Sequence, residues 1–147
     1  GATLTGADLV NATLTEANLG ASMLTDARLN GARLMGANIS GAALIDTDLR
    51  RARLRNSTAG CSNVWPTDRS EEMPCTDFSN ADLRDATLID ADLKHTNFNG
   101  ADIRNADLMG ADVNQSQLNR ACGNEDTRLP DSLTIPSCRN GLPIRKD

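Results

Sequence analysis

ARLMGANISGAALIDTDLRRARL, residues 32–54, sets an apolar centre at Leu34, Ile39, Leu44, Leu49 and Leu54, one in every five residues. Neither the 3.6-residue period of a helix nor the two-residue alternation of a strand produces that beat. Outward from this stretch, the beat starts at Leu4 and runs through Leu9, Leu14, Leu19, Leu24 and Leu29. After a break it resumes as Phe78, Leu83, Leu88, Leu93, Phe98, Ile103, Leu108, Val113 and Leu118. A small residue stands two before nearly every centre, as in Ala7-Asp8-Leu9 and Ala106-Asp107-Leu108. Alternate side chains of an extended chain share a face, so the small residue and the centre point inward and the residue between them meets water. The second residue after most centres is Gly, Asn or Asp, for example Gly6, Asn11, Asp26, Gly41, Asn80, Asp90 and Gly110. Those types bend a backbone at low cost, so the pattern predicts a solenoid of short straight sides joined by turns.

The unit Ala-(Asp/Asn)-Leu-x-x, repeated over about residues 2–59 and 76–121, resembles the pentapeptide-repeat family. The tail from Thr127-Arg128-Leu129-Pro130 to Ile135-Pro136 resembles those that follow the repeats in cyanobacterial members. The resemblance implies an all-β fold, a right-handed quadrilateral β-helix with five residues to a side and twenty to a coil. Thr76-Asp77-Phe78 and Thr96-Asn97-Phe98 are twenty residues apart, so such a coil puts both rings in one column. Five to six coils are expected, on the order of 25–30 Å of rod at ~4.8 Å per coil. The chain divides into a first repeat segment, 1–59, an inserted loop, 60–75, a second repeat segment, 76–121, and an irregular capping segment, 122–147, all in one structural domain. Leu129, Leu133 and Ile135 are the residues expected to cover the last coil, whose apolar layer and backbone edge are otherwise open.

Only Phe78, Phe98 and Trp65 are aromatic, too few for an ordinary globular core but sufficient for stacked Leu and Ala. The longest apolar runs are far too short to span a membrane. All five prolines lie outside the repeats, as ladders of backbone hydrogen bonds between coils require. Val64 keeps the first phase and Phe78 starts a shifted one, so the loop ejects a number of residues that is not a multiple of five.

Cys61, Cys75, Cys122 and Cys138 flank the two irregular segments. More than two coils, roughly 10 Å of rod, separate Cys75 from Cys122, whereas a disulfide brings Cα atoms to about 4.4–6.8 Å. The spacing therefore favours Cys61–Cys75 and Cys122–Cys138 over the other connectivities, with four free thiols as the alternative. Zinc is disfavoured, because no two cysteines have short ligand spacing and the single His95 falls at a solvent-facing turn. Disulfides place the protein in an oxidising compartment, periplasm or thylakoid lumen. Because the chain begins at Gly1 and not at Met, any export leader is expected to have been removed.

Charge is uneven: residues 1–59 carry six Arg against five acids, while residues 76–121 carry eight Asp against four basic residues. Asp77, Asp82, Asp92, Asp102, Asp107 and Asp112 fall at outward positions and form an acidic stripe, a candidate surface for a basic protein partner. Asp82 and Asp102 share a column, as do Asp92 and Asp112, and stacked like charges repel. The plain alternative is that Asp belongs to the consensus there and is simply solvated. Arg50, Arg51, Arg53 and Arg55 invite an anion-binding reading against the same plain alternative, a solvated face. With one His, no Ser-His-Asp set, no phosphate loop and no cavity in a filled rod, no catalytic, cofactor or metal residue is assigned. The expectation is a non-catalytic scaffold, a monomer or a weak end-to-end dimer, with no cofactor and no membrane span. The alternative is a DNA mimic that binds gyrase, as some relatives do, which calls for a uniformly acidic, uninterrupted rod. Nucleic acid itself is disfavoured as a partner.

Overall fold

The computed structural model describes residues 1–61, 74–139 and 142–143. Residues 62–73 of the inserted loop, Val64 and Trp65 among them, lie outside the described residues, as do residues 140–141 and 144–147. The fold is built from one repeated local event. After each centre the chain closes a hydrogen-bonded turn, as where Ala7 N–H donates to the Leu4 carbonyl at 3.0 Å. The second residue after the centre is left-handed, φ 67 at Gly6, 56 at Asn11 and 56 at Asn80. That is the requirement of a type II turn, which Gly and Asn meet cheaply. Glu16, Ala21, Arg51 and His95 take the same conformation, φ 54–60, without that chemical advantage.

Between turns, each side is straight for only about three residues, and its middle residue pairs in parallel with the coil above and the coil below. Asp8 pairs with Arg28 and Arg28 with Asp48, twenty residues apart at each step. Leu29 N–H donates to the Asp48 carbonyl at 2.7 Å, and Arg28 N–H to the Ala7 carbonyl at 2.9 Å, so a middle coil is tied to both neighbours. The chain therefore forms a four-sided stack, with columns headed by Thr3, Asp8, Thr13 and Asn18. Because each side is so short, the ladders consist of isolated bridges and not of extended strands. Among the described residues the only strands are β1, Cys138–Arg139, and β2, Leu142–Pro143, an antiparallel pair in the tail.

Across the insertion the register changes. Ala43 pairs with Asp77, Asp48 with Asp82, Arg53 with Thr87 and Thr58 with Asp92, each thirty-four residues apart, and the twenty-residue step then resumes at Asp77 and Asn97. The step is thus fourteen residues longer at the corner where Cys61 and Cys75 stand, and the second set of coils sits directly on the first.

The inward positions are filled by buried side chains. Leu24, Leu29, Leu49, Leu54, Leu83, Leu88, Leu93 and Leu108 are fully buried, as are the small partners Ala32, Ala37, Ala42 and Ala81. Leu44 is buried among them, at 1 % exposure. Phe78 and Phe98 stack in one column, ring centroids 5.4 Å apart. Thr replaces Ala at a few inward positions, and its hydroxyl is satisfied there: Thr47 donates to the Leu24 carbonyl at 2.9 Å, and Thr96 to the Ala59 carbonyl at 2.7 Å. At the first coil, Leu4, Leu9, Leu14 and Ala17 are only partly buried, because no coil of the described residues lies beneath them.

The top of the stack departs from an uninterrupted all-β reading. Residues Gln115–Leu118 form a single helical turn, α1. Asn114 caps it by accepting from Gln117 N–H, while the Gln117 side chain accepts from Asn114 N–H, a reciprocal box that stabilises a helix start. The Gln117 amide also donates to the Leu93 and Thr96 carbonyls at 2.7 and 2.9 Å, which ties the turn to the coil below. Leu118 keeps its place in the core, so the apolar beat survives although the ladder does not. Leu129, Leu133 and Ile135 pack against the end of the core, as the sequence suggests.

Candidate interaction surface

Most outward positions of the ladder meet solvent at the middle of a side, Asp102 and Cys122 at the top of one column being buried, and their chemistry follows from local geometry. An Asp or Asn there accepts a hydrogen bond from the backbone N–H two residues on, as Asp82 does from Arg84, Asp92 from Lys94, Asp102 from Arg104 and Asn38 from Ser40, at 3.0–3.2 Å. The carboxylate or amide thus satisfies a donor at the entry to the turn, which gives these residues a structural reason to be there.

One column carries more. Asp48, Asp82 and Asp102 stand on successive coils, and each is gripped by the arginine two residues on. Arg50 donates to Asp48 at 2.8 and 2.7 Å, Arg84 to Asp82 at 2.8 and 2.7 Å, and Arg104 to Asp102 at 2.9 and 2.5 Å. The guanidinium groups also reach toward the next coil, Arg50 Nε to Asp82 at 3.7 Å and Arg84 Nε to Asp102 at 3.8 Å. The result is a zipper of alternating charge along one side of the rod. Hydrogen bonds from Arg50 hold the Asp48 carboxyl below the usual carboxylate range, against the opposing pull of its partial burial. The Asp partners in turn raise Arg50, Arg84 and Arg104 above the ordinary guanidinium value.

This arrangement corrects the expectation of repulsion down the Asp82–Asp102 column, since arginines alternate with the acids. Asp112 is likewise paired, with Lys94 at 2.8 Å, and Asp107 with Arg128 at 2.6 Å. The bond to Asp112 raises the Lys94 ammonium above its ordinary value. Among the described residues, Asp77 and Asp92 have no ion pair, though Asp77 accepts from the Ser79 hydroxyl at 2.6 Å. Of the arginine cluster, Arg50 is bound as described and Arg55 lies 3.6 Å from Asp90, while Arg51 and Arg53 have no carboxylate partner among the described residues.

The cysteines pair as Cys61 with Cys75 and Cys122 with Cys138, the latter with Cα atoms 4.9 Å apart. Cys122 occupies the outward position above Asp102 in the zipper column, and Cys138 Sγ lies 3.7 Å from Asp102 Oδ1. Asp102, Cys122 and Cys138 converge closely enough to suggest a metal site, but the two sulfurs are bonded to each other and do not offer thiolates. His95 is exposed at a turn, φ 60.

The description Pentapeptide repeats matches residues 1–31, 24–56 and 75–121, in eight copies. The chain belongs to the pentapeptide repeat family. Among solved structures it is similar to Rfr23, a pentapeptide repeat protein of the cyanobacterium Cyanothece 51142, at 22% identity over 77% of this chain and 64% of that one, TM-score 0.34. It is similar to HetL, a pentapeptide repeat protein involved in heterocyst differentiation regulation in Nostoc sp. strain PCC 7120, at 27% identity over 90% of this chain and 63% of that one, TM-score 0.38. A pentapeptide repeat protein of the Arabidopsis thaliana thylakoid lumen is 25% identical over 82% of this chain and 77% of that one, TM-score 0.35. The chain thus spans slightly less than two thirds of the length of Rfr23 and HetL. No curated protein matches it.

Proposed function

We propose that this pentapeptide repeat protein is a non-catalytic scaffold that binds a protein partner through its solvent-facing ladder sides. The observation that carries this reading is the allocation of side chains: inward positions are spent on packing, and chemical variety is confined to columns on the outside. The finer geometry in the proposal is that of the family, a right-handed quadrilateral β-helix of five to six coils with one inserted loop. Two disulfides favour an oxidising compartment, periplasm or thylakoid lumen, and the lumenal relative is compatible with it. Among the described residues no helix is long and apolar enough to cross a membrane. The alternation of Asp and Arg along one column argues against the DNA mimic, which needs a continuous acidic surface.

The partner surface proposed is the stripe of Asp77, Asp82, Asp92, Asp102, Asp107 and Asp112. Among the described residues, Asp77 and Asp92 are the acids of the stripe without an ion pair, so they carry the test. Asp77→Asn with Asp92→Asn keeps the oxygen that accepts the turn N–H and removes the charge. Capture of a partner by the disulfide-intact chain from a periplasmic or lumenal extract should weaken at least about tenfold, with thermal stability unchanged. Equal capture by the variant refutes the acidic surface, and a parent chain that captures nothing from either extract refutes the scaffold.

A further inference from the structure

We propose that the Asp102 carboxylate guards the Cys122–Cys138 disulfide against anionic reductants, so that the tail over the end of the core is released selectively to an uncharged or cationic thiol. The inference goes beyond the scaffold reading and does not depend on it.

The tail is fastened to the last coil at few points. Gly123 N–H donates to the Pro136 carbonyl at 2.8 Å, and Cys138 N–H to the Gly123 carbonyl at 3.1 Å. A Cβ at Gly123 would stand 2.8 Å from Thr127 Oγ1 and 2.9 Å from Ile135 Cγ1, so glycine there lets Ile135 close onto the coil. The covalent fastening is the bond from Cys138 to Cys122. Cys122 is fully buried in the column above Asp102, whereas Cys138 is only partly buried. An external thiolate therefore reaches the Cys138 sulfur, and Cys122 is the leaving group.

Asp102 stands beside the sulfur under attack. Its Oδ1 lies 3.7 Å from Cys138 Sγ, and its side chain is only 12 % exposed. The attacking species is a thiolate, so it brings a negative charge to that sulfur. Repulsion by a carboxylate so close and so little hydrated exceeds what bulk water would allow. The carboxylate is also held in place: Arg104 donates from Nε to Oδ1 at 2.9 Å, from Nη2 to Oδ2 at 2.5 Å and from its backbone N–H to Oδ1 at 3.2 Å. Arg84 Nε lies 3.8 Å from Oδ2. Both guanidinium groups bond the carboxylate and offset part of its charge, so loss of Arg104 strengthens the guard and loss of the Asp102 charge removes it.

Two thiol equivalents balance the opening. The first thiolate forms a bond to Cys138 Sγ as the Cys122–Cys138 bond breaks, and the Cys122 sulfur takes the electron pair and then a proton. The second thiolate attacks the reagent sulfur of the mixed disulfide, which joins the two reagent molecules and releases Cys138 as its thiol. The protein pair gains two electrons and two protons, and the reagent is oxidised to its disulfide.

The test is the rate of reduction of each disulfide in the full native chain, read by alkylation and peptide mapping, with mercaptoethanesulfonate, mercaptoethanol and cysteamine as anionic, neutral and cationic thiols. Each rate is divided by that of the same thiolate on hydroxyethyl disulfide, which removes intrinsic nucleophilicity. In the parent, Cys122–Cys138 should favour cysteamine over mercaptoethanesulfonate by at least about fivefold. Asp102→Asn should narrow that preference at least about threefold, and Arg104→Gln should widen it. Cys61–Cys75, read in the same samples, should change by less than about twofold in either variant. No preference in the parent, an equal preference in Asp102→Asn, or a matching change at Cys61–Cys75 overturns the proposal. A uniform acceleration with all three thiols overturns it as well, because a merely loosened tail admits every reagent alike. Should Asp102→Asn not fold, Arg104→Gln decides alone: a widened preference supports the guard, and an unchanged or narrowed one overturns it.

Discussion

At Gly100 the backbone is left-handed, φ 77, and a Cβ built there stands 2.4 Å from the Asn80 side-chain oxygen of the coil below. The same relation holds at Gly31 over Asn11 and at Gly110 over Asp90, so a glycine on one coil makes room for the turn side chain of its neighbour. Gly100→Ala should therefore cost about 1–2 kcal/mol from the left-handed conformation alone, with more from the displaced amide. Urea unfolding measures it, and Asn80→Gly in the same chain should return only the steric part. Charge at the residue scale has a direction that can be read in acid. Arg50 lowers the Asp48 carboxyl in the folded chain, so the pair adds stability at pH values above the unfolded carboxyl pKa of about 3.9. That stability is lost as pH falls through the lower folded value, while Arg50 stays charged throughout. Asp48→Asn should accordingly flatten the acid limb of stability against pH below about 4, and an unchanged limb contradicts the assignment.

At the scale of elements, the two disulfides close loops of similar length, with sequence separations of 14 and 16, so chain entropy gives each about 3 kcal/mol. Packing separates them. Cys138 anchors the segment whose Leu129, Leu133 and Ile135 cover the end of the core, whereas Cys61 and Cys75 bracket the insertion across which the register changes. Cys122→Ser with Cys138→Ser should therefore lower the thermal midpoint more than Cys61→Ser with Cys75→Ser, and equal losses contradict the capping role. Sequence reading reached most of this level because the five-residue beat, the twenty-residue spacing of the two Phe and the flanking cysteines are all local arithmetic. It missed α1 because Val113 and Leu118 keep the beat while the chain leaves the ladder. The readable signal was Asn114 three residues before Gln117, the spacing of a reciprocal cap. It also compared acids only with acids along a column and so overlooked Asp82-Leu83-Arg84 and Asp102-Ile103-Arg104, where the counter-charge lies two residues on. The stacking of Cys122 on Asp102 follows from the same twenty-residue step and could have been read in the same way.

At the scale of the whole molecule, everything proposed for the surface depends on the two sets of coils forming one stack. The Asp48–Asp82–Asp102 zipper crosses the insertion, and the wall of a corner cleft takes Arg50 and Arg51 from below it and Arg84 from above. Two separate rods would have neither feature, and each would leave an apolar end exposed. The junction is made by backbone donors: Asp77, Asp82, Thr87 and Asp92 N–H bond the carbonyls of Ala42, Thr47, Ala52 and Ser57 at 2.9–3.0 Å. Residue-resolved native hydrogen exchange reads those four amides directly. One continuous stack predicts that they exchange as slowly as Arg28, Arg33 and Asp48 within the first set, and far more slowly than Thr3, Asp8 and Thr13 at the open first coil. Exchange of Asp77, Asp82, Thr87 and Asp92 at the rate of that open edge would contradict it.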